Sequence, residues 1–191
     1  MNYEIIEPPF TLKFREMSKQ EIKNYYEWFM DVLTKRLEIL FNAVRTTVGF
    51  ENWQADFTPD SLNRLGKWFM IHVETRKKTY EEMEAEMNLT PHRFNVSEDH
   101  LTNKTFSLAI DIGMYLSQVF LRNNEKKLEW SQILKNKRHV DYGQPVIIGF
   151  VKNLPVNPVG LTITLAYGLA NKTKDGSRLR DLYDIWMKYI Y

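Results

Sequence analysis

Apolar positions with helical spacing dominate the first half of the chain. From residue 18 onward, apolar side chains recur three or four positions apart, which predicts a long amphipathic helix ending near Thr46. Ser18 and Glu21 have the spacing of a capping box, in which two side chains satisfy free N–H groups at a helix start. The predicted buried face of this helix contains Ile22, Tyr26, Phe29, Leu33, Leu37, Leu40 and Val44.

Two more helix starts follow in the sequence. Thr58-Pro59-Asp60 predicts a threonine cap, a proline at the first helical position and a carboxylate near the positive helix end. Thr79 and Glu82 have the spacing of a second capping box, which opens a short helix containing the acidic run EEMEAE (81 to 86). Residues 90 to 103 hold a proline and scattered polar residues, which indicates a loop.

Strand patterns are fewer and lie mostly late in the chain. Residues 1 to 17 are predicted to be extended, because two adjacent prolines block a helix, and TLKF (11 to 14) alternates as a short edge strand does. LEWSQIL (128 to 134) and QPVIIGFV (144 to 151) predict two strands. The second is a continuous apolar run, as expected of a strand covered on both faces.

Helical patterns return at the end of the chain. Asn157-Pro158 combines a cap with a first-turn proline and predicts a helix over 158 to 171, with a strand over 162 to 165 as the alternative. Ser177 then opens a last helix. The residues predicted to face inward from it are Leu182, Tyr183, Ile185, Trp186, Tyr189 and Ile190.

These elements predict an α+β fold, as one helix-rich domain over residues 1 to 191 with a small, antiparallel sheet formed late in the chain. Its predicted parts are an extended segment (1 to 17), a mainly helical region (18 to 124), strands (125 to 151) and a helical end (157 to 191). The pattern does not decide whether the two late strands pair with each other or with the N-terminal segment.

The most unusual helix is predicted over residues 104 to 121, because an otherwise apolar segment carries a few polar side chains. On a helical wheel, Ser107, Asp111, Gln118 and Arg122 fall within about 60° of one another, and Tyr115 lies beside Arg122. We call these five residues the polar stripe. Gly113 and Ala109 lie together on the opposite arc, where another element can approach closely.

The polar stripe has three interpretations. An unpaired buried charge costs several kcal/mol, so Asp111 and Arg122 must face water or have partners. The stripe is therefore a solvated or internally satisfied network, a groove that contacts a ligand or partner, or the lining of a catalytic site in which Asp111 acts as an acid.

Composition and charge exclude several functional classes. The chain has 26 basic and 24 acidic residues, a net charge of +2 and no cysteine, so neither a nucleic-acid binder nor a thiolate site is expected. The sequence lacks a signal-peptide pattern and an apolar run long enough for a membrane span, which predicts a cytoplasmic protein that does not bind membranes. No phosphate-binding, hydrolase or metal-ligating motif occurs, so we expect no cofactor, no metal and no catalytic residue of a known type.

Two further regions are candidates for contact with a partner. Trp53 lies between two predicted helices, and tryptophan on a loop is frequent at protein interfaces. Glu81, Glu82 and Glu84 give the short helix a strongly acidic surface that can steer a partner electrostatically.

Three stretches resemble segments of a group of uncharacterised bacterial cytoplasmic proteins. They are TPDSLNRLGKWF (58 to 69), DIGMYLSQVFLRNN (111 to 124) with LEW (128 to 130), and QPVIIGF (144 to 150) followed by Asn157-Pro158. Some members of that group are regarded as immunity proteins of polymorphic toxin systems. The resemblance implies a protein-binding role and no particular active-site residue.

The sequence therefore favours a non-catalytic protein-binding module, most concretely an immunity protein that neutralises a partner toxin. The alternatives are an enzyme of unrecognised class that uses the polar stripe, and a protein with a structural role in an assembly.

Overall fold

A computed structural model describes residues 3–89 and 98–190 of the chain. Within these ranges the chain forms six α-helices, four short strands and one 3₁₀ turn at Val151–Asn153. The helices are α1 (Lys19–Arg45), α2 (Ser61–His72), α3 (Tyr80–Leu89), α4 (Asn103–Arg122), α5 (Pro158–Ala170) and α6 (Arg178–Met187). The strands are β1 (Thr75–Lys77), β2 (Asp99–Leu101), β3 (Glu129–Gln132) and β4 (Pro145–Ile148).

Helix starts follow the predicted capping chemistry at α1, α3 and α5. Ser18 and Glu21 form the reciprocal capping box of α1, and Thr79 and Glu82 form that of α3. At α5 the side chain of Asn157 accepts a hydrogen bond from Gly160 N–H (2.9 Å). These contacts satisfy N–H groups that a helix leaves free in its first turn.

The predicted start of α2 is wrong by two residues. The Thr58 hydroxyl donates to Asp56 (2.7 Å) and so does not cap the helix. The preceding residue, Phe57, has a positive φ of 59° and turns the chain. Pro59 consequently lies in the turn, and the helix begins at Ser61 without a side-chain cap.

Both sheets formed by the described residues are antiparallel pairs. β3 pairs with β4, so the predicted late sheet is confirmed and its two strands pair with each other. β1 pairs with β2, which the sequence did not predict. Residues 90–97 of the predicted loop lie outside the described residues, while 99–101 form a strand. TLKF (11 to 14) is not a strand, since Leu12 has a φ of 57° and a turn follows.

Helix α4 lies at the centre of the molecule, between α1 and α5. The predicted continuous helix is confirmed, and most of its residues are buried. The close approach predicted at Gly113 is also confirmed: a Cβ there would lie 2.7 Å from Val159 Cα. The Thr162 hydroxyl donates to the carbonyl of Ala109 (2.6 Å), which joins the two helices through a buried hydrogen bond.

α6 packs against α2 and α5. Its buried residues are Leu179, Leu182 and Tyr183, and the ring of Tyr183 stacks on Phe120 of α4. The prediction that Tyr189 faces inward is wrong, because this side chain is exposed beyond the end of α6. One cluster of buried apolar residues forms the main core. It contains Tyr3 and side chains from every helix except α3.

Candidate functional site

The polar stripe of α4 passes through three different environments. Ser107, Asp111 and Tyr115 are buried, Gln118 is half-buried and Arg122 is exposed. The stripe is therefore not a uniform groove. Its residues form two separate groups of contacts, one around Asp111 and one around Tyr115.

The first group centres on the Asp111 carboxylate. Arg36 of α1 binds it with two hydrogen bonds, from Nε to Oδ1 (2.9 Å) and from Nη2 to Oδ2 (2.7 Å). The hydroxyl of Tyr3 donates a third hydrogen bond to Oδ2. Two parallel N–H bonds to one carboxylate are among the strongest polar contacts in proteins. Asp111 and Arg36 are both almost entirely buried.

The N-terminal segment closes this cluster from outside. Arg36 Nη2 also donates to the carbonyl of Glu4 (2.8 Å), and Ile6 N–H donates to the hydroxyl of Ser107 (3.0 Å). The hydroxyl of Ser107 in turn donates to the carbonyl of Asn103 (3.0 Å). Among the described residues, every buried side-chain nitrogen and oxygen has a hydrogen-bond partner.

Burial controls the protonation of the cluster. It raises the pKa of Asp111, while the hydrogen bonds from Arg36 and Tyr3 act in the opposite direction. Burial also raises the pKa of Tyr3 far above its ordinary value, and the nearby Asp111 carboxylate adds to this effect. Tyr3 consequently remains protonated and acts as a hydrogen-bond donor at any physiological pH.

The second group centres on the Tyr115 hydroxyl. It accepts a hydrogen bond from Phe57 N–H (3.1 Å) and lies 2.7 Å from the hydroxyl of Ser61. Ser61 donates its single proton to the carbonyl of Thr58 (2.6 Å), so Tyr115 is the donor to Ser61. Burial raises the pKa of Tyr115. This tyrosine therefore fixes the turn before α2.

Arg122 covers the same turn from the solvent side. Its guanidinium carbon lies 3.7 Å from the centre of the Phe57 ring, whose other face stacks on Tyr115. Asn123 donates to the carbonyl of Phe57 (2.9 Å). Phe57 is thus held in its positive-φ conformation by three residues near the end of α4. With the described residues, the Gln118 side chain forms one long hydrogen bond, to the hydroxyl of Ser117 (3.5 Å).

Trp53 does not offer a surface to a partner. The side chain is 2% exposed, and its indole N–H donates to the carbonyl of Ser61 (3.0 Å). Its ring packs against Phe41 and Tyr115. The expectation of an exposed contact is therefore wrong, because the loop that carries Trp53 folds back into the core.

The acidic helix α3 is partly neutralised by the basic cluster that precedes it. Arg76 binds Glu82 with two hydrogen bonds (2.7 and 2.6 Å), Lys77 pairs with Glu98 and Asp99, and Lys78 pairs with Glu86. Arg76 and the capping contact with Thr79 lower the pKa of Glu82 to about 2. Glu82 is therefore committed to a local structural role.

Glu81 and Glu84 keep their side chains exposed on α3. On a helical wheel, Glu84 lies between Tyr80 and Glu81, and Met87 lies on the other side of Tyr80. Tyr80 is 76% exposed and Met87 is 57% exposed. This outer face of α3 combines two carboxylates with two large apolar side chains.

A groove between α5 and α6 is a feature that our sequence analysis missed. It has a volume of about 460 Å³ and is lined by Leu161, Thr164, Leu165, Tyr167, Gly168, Asn171, Thr173, Lys174, Arg178 and Leu182. The signal was present, because α5 contains no charged residue although only five of its thirteen residues are buried. A helix without charge is normally covered on all sides.

Arg36 and Tyr3 were also missed. Arg36 lies on the apolar arc of α1, within about 20° of Phe29 on a helical wheel. A cation on an apolar arc predicts a buried partner, and Asp111 is the only carboxylate within the apolar helix α4. Tyr3 carries no comparable signal, since its segment has no periodic pattern.

The described residues contain no group of three or more His, Asp or Glu side chains arranged to hold a metal ion. No helix within the described ranges is long and apolar enough to cross a membrane. Comparison of the chain with protein-family models, curated proteins and solved structures finds no match.

Proposed function

We propose that this protein acts by binding a protein partner, without catalysis, and that the groove between α5 and α6 receives part of that partner. The observation that carries the proposal is the apolar outer side of α5. Leu161 and Tyr167 remain partly exposed there, and polar residues surround them. Apolar surface rimmed by polar residues is typical of protein interaction sites.

The polar stripe supports the same conclusion. Asp111 and Tyr115 are the groups an enzyme would need as acid or nucleophile, but both are buried and use their polar atoms within the protein. A catalytic group must reach a substrate within hydrogen-bond distance. The competing enzyme hypothesis therefore requires the N-terminal segment to leave Asp111.

Toxin neutralisation is the most concrete form of the proposal. It derives from the resemblance of residues 58 to 158 to a group of uncharacterised bacterial proteins, some of which are regarded as immunity proteins. On this hypothesis the protein acts in the cytoplasm and occupies a surface that its toxin needs. A structural role in an assembly is the remaining alternative, and it would use the groove without changing the activity of the bound partner.

The test is capture from the native cell with Thr164→Trp. Thr164 is exposed and lines the groove, so tryptophan there fills the binding space without entering the core. Thr34→Trp places the same side chain on the exposed face of α1 and is the matched control. We expect Thr164→Trp to lose a partner that Thr34→Trp retains.

The captured partner is then expressed alone and together with each variant. Neutralisation predicts that the partner arrests growth, and that the wild type and Thr34→Trp relieve the arrest while Thr164→Trp does not. Equal capture and equal protection by both variants would refute the groove as the binding site. A groove-dependent partner that is harmless when expressed alone would favour the assembly role.

The outer face of α3 is proposed as a second, steering contact. Of the acidic residues predicted there, Glu81 and Glu84 are exposed, whereas Glu82 is bound to Arg76. Exposed carboxylates raise the association rate of a partner that carries basic residues on the facing surface, mainly at low salt. An association rate that is unchanged after charge reversal at both positions would remove α3 from the proposal.

A further inference from the structure

We infer that the groove between α5 and α6 accepts an acidic segment of the partner, with apolar side chains in the groove and carboxylates at its edge. This inference rests on the proposed function, because it assumes that a protein partner binds there. It adds the acidic and apolar character of the partner segment, which neither the fold nor the resemblance supplies.

Charge is the first argument. Among the described residues that line the groove, Lys174 and Arg178 are the charged ones. No ion pair to Lys174 is formed by the described residues, and Arg178 has only a loose contact with Asp181, at 4.0 Å. Neither cation is therefore held in a close ion pair with the described residues, so both can receive an incoming carboxylate at the edge of the groove.

The position of Lys174 is the second argument. Its backbone N–H donates to the carbonyl of Gly168 (3.0 Å), which fixes this residue against α5. A Cβ on Gly168 would lie 2.7 Å from Lys174 Cγ, so the absence of a side chain there lets the lysine stem lie on the helix. The backbone and the first part of the Lys174 side chain are therefore held against α5 beside the groove.

The apolar lining is the third argument. Leu161 and Leu165 are one helical turn apart on α5, and Leu182 of α6 also lines the groove. Leu161 is partly exposed, whereas Leu165 and Leu182 are almost entirely buried. This spacing matches apolar side chains that recur every three or four residues on a bound segment. An acidic segment with that pattern would place apolar side chains against the leucines and carboxylates beside the two cations.

The experiment uses a displayed library of random twelve-residue peptides selected on the full chain. The selected peptides are then measured against Thr164→Lys and Thr164→Glu, two variants that place opposite charges at one groove position. Thr34→Lys and Thr34→Glu carry the same changes on α1 as controls. We expect selected sequences rich in Asp and Glu beside Leu, Phe or Met.

We expect affinity to rise about threefold to tenfold with Thr164→Lys and to fall by a similar factor with Thr164→Glu, with little change in the α1 controls. Selected peptides that are neutral or basic, a failure to select any peptide, or equal responses at positions 164 and 34 would each overturn the inference. Self-association that responds to the Thr164 variants would identify a second copy of this chain as the occupant and overturn it as well.

The two proposals fail differently. A native partner that needs the groove but contacts it through neutral or basic residues would refute the acidic segment and leave the proposed function standing. Acidic peptides that obey the charge test, together with a native partner that ignores Thr164→Trp, would refute the proposed function and leave the groove's preference for acidic segments intact.

Discussion

Two arginine–carboxylate pairs in this protein have nearly the same geometry in opposite surroundings. Arg36 holds Asp111 with contacts of 2.9 and 2.7 Å, and Arg76 holds Glu82 with contacts of 2.7 and 2.6 Å. The side chains of the first pair are 4% and 0% exposed, whereas those of the second are 40% and 38% exposed. The hydrogen-bond distances alone therefore say little about how much each pair contributes to the free energy of unfolding.

The difference lies in what replaces a lost partner. Water can solvate Arg76 or Glu82, so an exposed pair of this kind contributes little to the stability of the fold. Water cannot reach Asp111, so losing Arg36 leaves a buried charge without compensation, at a cost of about 3–5 kcal/mol. The buried pair thus fixes how α1, α4 and the N-terminal segment fit together. The exposed pair can be replaced with little effect on the fold.

The largest effect is expected from Arg36→Met. Methionine fills similar space but removes both hydrogen bonds to Asp111, so the free energy of unfolding should fall by about 3–5 kcal/mol. Arg76→Met, the matched change in the exposed pair, should lower the free energy of unfolding far less. Denaturant unfolding of both variants measures the contrast, and similar losses would show that burial does not separate the two pairs.

Replacing the whole buried cluster should recover much of that loss. Arg36→Met/Asp111→Leu/Tyr3→Phe removes both buried charges and the hydroxyl together, and of the described residues only Glu4 loses its contacts with Arg36. Apolar side chains of similar size are often neutral replacements for buried ion pairs. We expect unfolding free energy within about 2 kcal/mol of the wild type. A triple variant no more stable than Arg36→Met would indicate that packing, rather than the unpaired charge, limits stability.

Tyr3→Phe should have an intermediate effect. It removes one of three donors to the Asp111 carboxylate and leaves Arg36 in place, at a cost of about 1–3 kcal/mol for a buried acceptor that loses a partner. Tyr80→Phe is the control, since Tyr80 is exposed. Equal unfolding free energies for the two variants would mean that the N-terminal segment contributes little to the cluster.

The exposed pair is expected to respond to acid. Arg76 and Thr79 lower the pKa of Glu82 from 4.5 to about 2, and a carboxyl with a lowered folded-state pKa stabilises the fold above its unfolded pKa. That contribution should be lost as the pH falls from about 4.5 towards 2. Carboxyl NMR titration should place Glu82 near 2 in the wild type and closer to 4.5 in Arg76→Gln.

The smallest effect on stability is expected from Glu81→Lys/Glu84→Lys. Both side chains are exposed and lie outside the pair, so the unfolding free energy should change by no more than about 0.5 kcal/mol. The association rate with the native partner should nevertheless fall at low salt. A large loss of stability would show that these carboxylates take part in the fold of α3.

The sequence predicted the parts of the fold that depend on local chemistry. The capping boxes of α1 and α3, the course of α4 and the close approach at Gly113 follow from neighbouring residues or from one helical wheel. The three-residue strands β1 and β2 were missed. The residues of β1 (TRK, 75 to 77) are all exposed and show no alternation of apolar and polar side chains.

The candidate site was less predictable, because its parts are distant in the sequence. Asp111 was identified as a charge that needs a partner, but the partners are 75 and 108 residues away. Trp53 was misplaced for the same reason, since only the fold shows that its loop turns inward. The absence of charge in α5 signals an apolar surface, but the groove itself depends on how α5 and α6 meet.

The separation between Arg36 and Asp111 also sets an order of events during synthesis. A ribosome adding about 5–20 residues per second needs roughly 4–15 s to travel the 75 residues between them. Until Asp111 has been made, the Arg36 cation and the Tyr3 hydroxyl lack the carboxylate that both bind in the folded protein. The buried cluster can therefore form only after α4 has left the exit tunnel.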